Sequence, residues 1–182
     1  MTRAITDRPS DAEVIATACR RADAAMLAME DPTHTSSSEP TPVDLVHLFE
    51  SQAFLLVPTD CEAIVMAGDA ADGVPAMVEI TDCAPIDLRE RVRSLVWLNG
   101  TAHAVPRNLE RDLAVEIATE HPNGGLLDIG HGRSMIRLQV DRAVVASSSG
   151  AAAVASGELA VADPGPFWEY EGEWIAHLDA DH

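Results

Sequence analysis

Three arginines fall within five residues of this chain: Arg89, Arg91 and Arg93. A guanidinium is a planar fork that suits two-pronged contact with a carboxylate or phosphate. The cluster therefore reads as an anion grip for a cofactor phosphate or a haem propionate. The plainer reading is surface pairing with Asp87 and Glu90. A second candidate is Gly130-His131-Gly132-Arg133, where a tight loop would offer backbone N–H groups, an imidazole and a guanidinium to a ligand. The same residues also read as a turn into the strand that follows. His103 shares a strand face with Trp97 and has the chemistry of a haem iron ligand; it also fits a half-buried strand histidine. His177 and His182 lie five apart and diverge on a helix, whereas His177 and Asp181 have the i, i+4 spacing but make only two ligands. Cys61 and Cys83 have no adjacent basic residue to activate a thiolate. No G-x-S-x-G, H-E-x-x-H or G-x-G-x-x-G occurs.

Composition narrows the classes. The chain has 182 residues, a net charge of −18 and 47% apolar residues. That much negative charge argues against nucleic acid and anionic membrane as partners. All twelve Lys+Arg positions are Arg, which removes Schiff-base chemistry and a P-loop lysine. Three Cys without a C-x-x-C point to a reduced, cytoplasmic setting. The N-terminal MTRAITDRPS has no apolar signal core, and no apolar run reaches membrane-spanning length.

The elements that would position these residues are mostly strands. Ser10 with Glu13 makes a capping box, and apolar spacing predicts a helix from about Asp11 to Met29. Thr33 to Pro42 reads as a polar linker, and residues 1–9 as a frayed end. Val43–Glu50 reads as a short helix or strand. Ala53–Val57, Ala63–Ala67 and Ala76–Thr81 read as strands separated by turn residues. Leu95–Val105 reads as a long strand with Leu95, Trp97, Asn99, Thr101 and His103 on one face and a bulge at Gly100. An amphipathic helix follows, carrying Leu109, Leu113 and Ile117 and reaching about Glu120. Met135–Val140 alternates as a half-buried strand that Ala143–Ala146 extends. Ser147–Gly157 reads as small and flexible. Asp163-Pro164 opens a last helix with Phe167, Tyr170, Trp174 and Leu178 as its stripe. Short strands with Gly, Pro and Asp turns between them predict an antiparallel sheet or barrel with flanking helices.

The segment RVRSLVWLNGTAHAVP, an amphipathic helix, and then HP..GGLLDIGHGRSMIRLQV resembles flavin-binding split barrels of the pyridoxamine 5′-phosphate oxidase-like superfamily. It resembles most the actinobacterial subgroup related to haem-utilisation oxygenases, in which a second domain follows the barrel. The terminal WIAHLDADH resembles the opening of that second domain, so the chain reads as truncated there. The resemblance implies a predominantly β (α+β) split barrel with flanking helices, assembled as a homodimer with ligand sites at its interface. It also implies that Arg91 and Arg93 grip the cofactor; in the tetrapyrrole reading His131 and Arg133 join them as contacts, and His103 is the candidate haem ligand. The domain expectation is a helix and linker over 1–42, a barrel over 43–160 and a helix over 161–182. Three functions stay open: a tetrapyrrole-binding dimer that binds haem and is haem-oxygenase-like, an FMN-dependent oxidoreductase, and a non-catalytic interaction module.

Overall fold

The computed structural model describes residues 8–30, 39–86, 89–165, 168, 170, 171 and 177. Its first helix, α1 (Asp11–Arg21), begins at the expected capping box. The Ser10 hydroxyl accepts the Glu13 N–H at 3.2 Å, and the Glu13 carboxylate accepts the Ser10 N–H at 2.8 Å. The helix does not reach Met29. Ala22 turns into the left-handed region at φ 38, and Ala24–Met29 is strand β1. AAMLAM carries apolar residues at both periods. Pairing with a neighbouring strand along its whole length decides for the strand, burying Ala25, Leu27 and Met29.

Seven further strands follow: β2 (Thr41–Pro42), β3 (Leu45–Phe49), β4 (Gln52–Pro58), β5 (Val74–Cys83), β6 (Val92–Ala104), β7 (Arg133–Ser147) and β8 (Gly150–Ala155). All pairings are antiparallel, in the order β2-β1-β5-β6-β7-β4-β3, with β8 beside the second half of β7. The two ends of this order are adjacent in the chain. The Val43 N–H bonds the Ala25 carbonyl at 2.9 Å, and the Asp44 N–H bonds the Leu56 carbonyl at 2.8 Å. The 41–49 segment thus joins both ends of a curled sheet, and the fold is a split barrel with flanking helices. β1 lies inside the sheet, so the barrel strands begin at Ala24, upstream of residue 43.

The bulge expected at Gly100 is present, with the β6–β7 register shifting between Asn99 and Gly100. A Cβ at Gly100 would stand 1.8 Å from the Gln139 carbonyl oxygen, so only glycine allows this approach. Inside the barrel, Leu55, Val57, Val78, Ile80, Val96, Leu98, Ile136 and Leu138 pack with Ile15 and Cys19 of α1. Ala63 and Ala67 join them from α2 (Glu62–Asp69), where a strand was expected. A five-residue apolar run does not fix its period, and here the chain is already turned away from the sheet by Pro58 and Thr59. On the outer side of β4 and β7, α3 (Arg107–Glu120) packs Ala114 and Ile117 against Leu45, Leu56 and Met135. The buried Glu110 carboxylate accepts the Met135 N–H at 2.8 Å, anchoring α3 to β7 where β6 has ended.

Ser147–Gly157, expected to be flexible, is instead a hairpin. β8 pairs with β7 from Arg142↔Ala155 to Ser147↔Gly150, and α4 (Ser156–Leu159) follows. Alanine and glycine carry little strand signal of their own, so the β7 ladder imposes this conformation. Most of the expected C-terminal helix, including Phe167, Trp174 and Leu178, lies outside the described residues, as do residues 1–7 and 31–38, His182 and Asp181. No described helix is long and apolar enough to cross a membrane.

Candidate functional site

The long strands β6 and β7, with the segments that lead into them, position Arg91, Arg93, His103, His131 and Arg133, and they place the arginine cluster and the glycine-rich loop at opposite ends. Arg93 lies at the start of β6, near the Ser94↔Ser147 pair; Arg133 lies at the opposite end of the ladder, beyond Ala104↔Ile136. β7 has 15 residues, about 50 Å of strand path at ~3.3 Å each. Within one chain, Arg91 and Arg93 therefore do not converge with His131 and Arg133.

At the glycine-rich end the polar groups are used internally. Gly130 adopts φ +84, and its N–H bonds the Arg133 carbonyl at 3.1 Å. The His131 and Gly132 N–H groups both bond the Asp128 carbonyl, at 3.1 and 3.2 Å. Arg133 ion-pairs with Asp44 and bonds the Gly132 carbonyl at 3.1 Å. The backbone donors expected to face a ligand thus close a turn, and the exposed His131 side chain is what the loop leaves for contact.

The Arg93 end is built differently. Arg93 and Arg21 both reach Glu171: Arg93 Nη2 pairs with Oε1, and Arg21 Nη1 with Oε2 at 2.6 Å. Each carboxylate oxygen thus meets its own guanidinium. Arg21 also bonds the Cys83 carbonyl at 3.0 Å and lies 3.2 Å from Asp82 Oδ1 through Nε. That last contact is close enough for an ion pair but too poorly aligned for a hydrogen bond, and Asp82 Oδ1 has no hydrogen-bond partner. The Ser94 hydroxyl, across the ladder from Asp82, is buried and unpartnered as well. The hydrogen bond from Arg93 holds the Glu171 carboxyl below its usual range, and the same bond raises Arg93. Burial pushes Asp82 up, against the opposing pull of Arg21 and Arg93. Arg91 contributes its carbonyl, which accepts the Ala84 N–H at 2.6 Å and closes the 84–91 turn. Arg89 is exposed in that turn.

Beside Arg93, the outward face of the sheet carries Leu95 and Trp97 on β6, Met77 on β5, Met26 on β1 and Val144 on β7. The register aligns them: Trp97 faces Glu79 and Val144, and Met26 faces Glu79 from the other side. The Trp97 indole N–H bonds Glu79 at 2.7 Å. None of these five apolar residues belongs to either core cluster, so the face is a mainly apolar platform that Glu79 interrupts between Met26 and Trp97 and that ends at Arg93. His103 lies on the same face ten residues along β6, about 30 Å of strand path from Arg93. Its ring abuts Gly73, where an added Cβ would come within 2.5 Å of Cε1. His103 therefore packs against backbone, too far along to serve a group gripped by Arg93 of the same chain.

A second feature was not anticipated. A cavity of about 320 Å³ opens between α1, β3 and residues 160–164, lined in part by Arg20, Phe49, Glu50 and His121. The His121 ring lies 6.0 Å from that of the buried His47. Burial, with Arg20 and His47 nearby, pushes His121 down to about 4, and burial also lowers His47. Arg20 bonds the Glu120 carbonyl at 2.7 Å and stacks on Trp168. Burial drives the Cys19 thiol up to about 12, which makes it inert packing. Among the described residues, no three His, Cys, Asp or Glu side chains converge as a metal site.

No family model matches this chain, and no curated protein is similar to it in sequence. Solved structures share its fold. A haem-binding protein from Mycobacterium smegmatis superposes with a TM-score of 0.65 at 21% identity, over 97% of this chain and 70% of that one. Campylobacter jejuni ChuZ gives 0.56 at 9% identity, over 88% and 67%. An FAD-binding protein from Mesorhizobium loti gives 0.50 at 13% identity, over 75% and 92%. At these identities the likeness establishes the split-barrel fold.

Proposed function

We propose that this chain is a cofactor-binding split barrel that works as a homodimer, with a tetrapyrrole such as haem as its ligand. The observation that carries the reading is the apolar platform of Met26, Met77, Leu95, Trp97 and Val144 ending in Arg93. A flat macrocycle with carboxylate arms has that same division into an apolar plane and an anionic edge. Likeness in fold to a haem-binding protein over nearly the whole chain supports this choice. Arg93, with Arg91 at the adjoining turn, meets the anionic edge, and this sheet face, half-buried among the described residues with Met26 exposed, is the surface offered to a second copy. His131 and Arg133 contact ligand only where a second copy brings the far end of β6–β7 to it. Haem would supply oxygen-activating chemistry when bound, and the proposal extends to haem-oxygenase-like turnover. The 43–160 barrel of this reading gains β1 and α1 upstream.

Adding haemin to the purified protein tests the reading. A saturable Soret shift with a rise in melting temperature is the expected result. Stabilisation by FMN instead, with its flavin absorbance retained through gel filtration, would replace haem with flavin. No response to either ligand would leave a non-catalytic interaction module. Sedimentation in the same buffer reads the oligomeric state.

A further inference from the structure

We propose that Arg21 and Arg93 together form a receptor for a single carboxylate, and that Glu171 of the chain's own C-terminal segment occupies it in competition with ligand. The geometry carries this: two guanidiniums from different elements, α1 and β6, each take one oxygen of the same carboxylate. The Arg21 side chain keeps only 14% of its surface in solvent against 36% for Arg93, so the clamp is sheltered on its Arg21 side and open to an incoming group at Arg93. Its position is fixed without Glu171. The Cys83 carbonyl and Asp82 hold Arg21 from β5, and the paired residues Val92 and Ser94 flank Arg93 where the β5–β6 register shifts. Glu171 arrives from 78 residues beyond Arg93 and 150 beyond Arg21. Its carboxylate therefore stands where the carboxylate of a bound ligand would.

The surroundings choose the class of anion. Asp82 lies against Arg21, and Asp23 is fixed beside it by the Cys83 N–H at 2.7 Å. Two guanidiniums facing two aspartates are already balanced, and one added carboxylate is what Glu171 contributes. A phosphate dianion would bring a further negative charge against Asp82 and Asp23. The clamp thus favours a carboxylate over a phosphate, a propionate arm over the phosphate of a flavin nucleotide. The identity of the ligand rests on the tetrapyrrole reading; the receptor and its tethered occupant do not.

Removing the occupant exposes the receptor. An intramolecular competitor lowers apparent affinity by the fraction of molecules it holds closed. Glu171→Gln keeps the shape of the side chain and removes its charge. It is expected to tighten haemin binding about tenfold, and adding Arg93→Gln or Arg21→Gln is expected to abolish that gain. Equal haemin affinity in the wild-type protein and Glu171→Gln would overturn the proposal while leaving haem binding intact. A probe independent of haem separates the two readings: melting temperature against sodium propionate or sodium phosphate at constant ionic strength. Glu171→Gln is expected to gain more from propionate than the wild-type protein does, and more from propionate than from phosphate. That result upholds the receptor even where haemin fails to bind. No propionate response in Glu171→Gln, or a phosphate response that equals it, would overturn the receptor or its selectivity respectively.

Discussion

The two ends of the β6–β7 ladder carry similar residue types and have opposite character. At the Gly130–Arg133 end the backbone donors bond Asp128 and Arg133 within the turn, and Arg133 pairs with Asp44. At the Arg93 end the partner of two arginines comes from a distant segment, while Asp82 Oδ1, ion-paired with Arg21, and the Ser94 hydroxyl lack a hydrogen bond in the interior. A glycine-rich loop with a histidine and an arginine looks like a ligand cradle in one dimension. In three it is a closed turn. Of a basic run that looks like solvated surface, Arg89 stays exposed and Arg93 joins Arg21 on the Glu171 carboxylate. What separates a site from a turn is the origin of the groups that satisfy it.

The largest expected effect breaks both ends together. Gly100→Ala would drive a methyl group into the Gln139 carbonyl at the bulge that joins the two halves of the ladder. A loss of about 4 kcal/mol or more is expected from such a backbone clash, read by thermal denaturation. Gly130→Ala confines the damage to the closed end. Its φ of +84 would cost a side chain about 1–2 kcal/mol, and haemin affinity should not change.

Acid acts on a third region, the His47–His121 pair beside α1. His121 is lowered in the folded chain from 6.5 to about 4. The unfolded chain therefore binds the proton first as pH falls. The stability that goes with neutral His121 is fully present above 6.5 and is lost progressively down to about 4. Melting temperature should fall across that window by about 2–4 °C per kcal/mol lost, and His121→Gln should flatten the fall. Glu171 has the same sign in a lower window: its depressed carboxyl contributes above the ordinary 4.5 and loses its contribution as pH drops through the folded value. The smallest effect is Arg133→Gln, which removes a partly exposed pair with Asp44 and should cost about 0–1 kcal/mol.

Much of the barrel was legible in the sequence. The Ser10–Glu13 box, the long strand with its bulge at Gly100 and the helix after Pro106 all rest on local signals; strand spacing points to an antiparallel sheet or barrel, and the family resemblance to a split barrel. What failed was local ambiguity. AAMLAM fits either period, and its helix is stopped at Ala22 in a left-handed conformation that no Gly or Asn announces. Ala63–Ala67 was too short to show its period, and β8 has too little side chain to declare itself. The site was half legible. Arg93 stood out as charge in an acidic chain, but Arg21 and Glu171 gave no sign, because only the tertiary fold brings α1, β6 and the C-terminal segment together. Arg20, His47 and His121 were missed for the same reason.

One measurement reaches the central claim most directly: haemin titration, followed at the Soret band, of the wild-type protein, Arg93→Gln and Arg133→Gln. The account predicts saturable binding that Arg93→Gln weakens about tenfold or more, as loss of a charge-assisted contact worth ~1.5–3 kcal/mol requires, while Arg133→Gln weakens it only where a second copy brings Arg133 to the ligand. Unchanged affinity in Arg93→Gln, or weakening by Arg133→Gln alone, would contradict it.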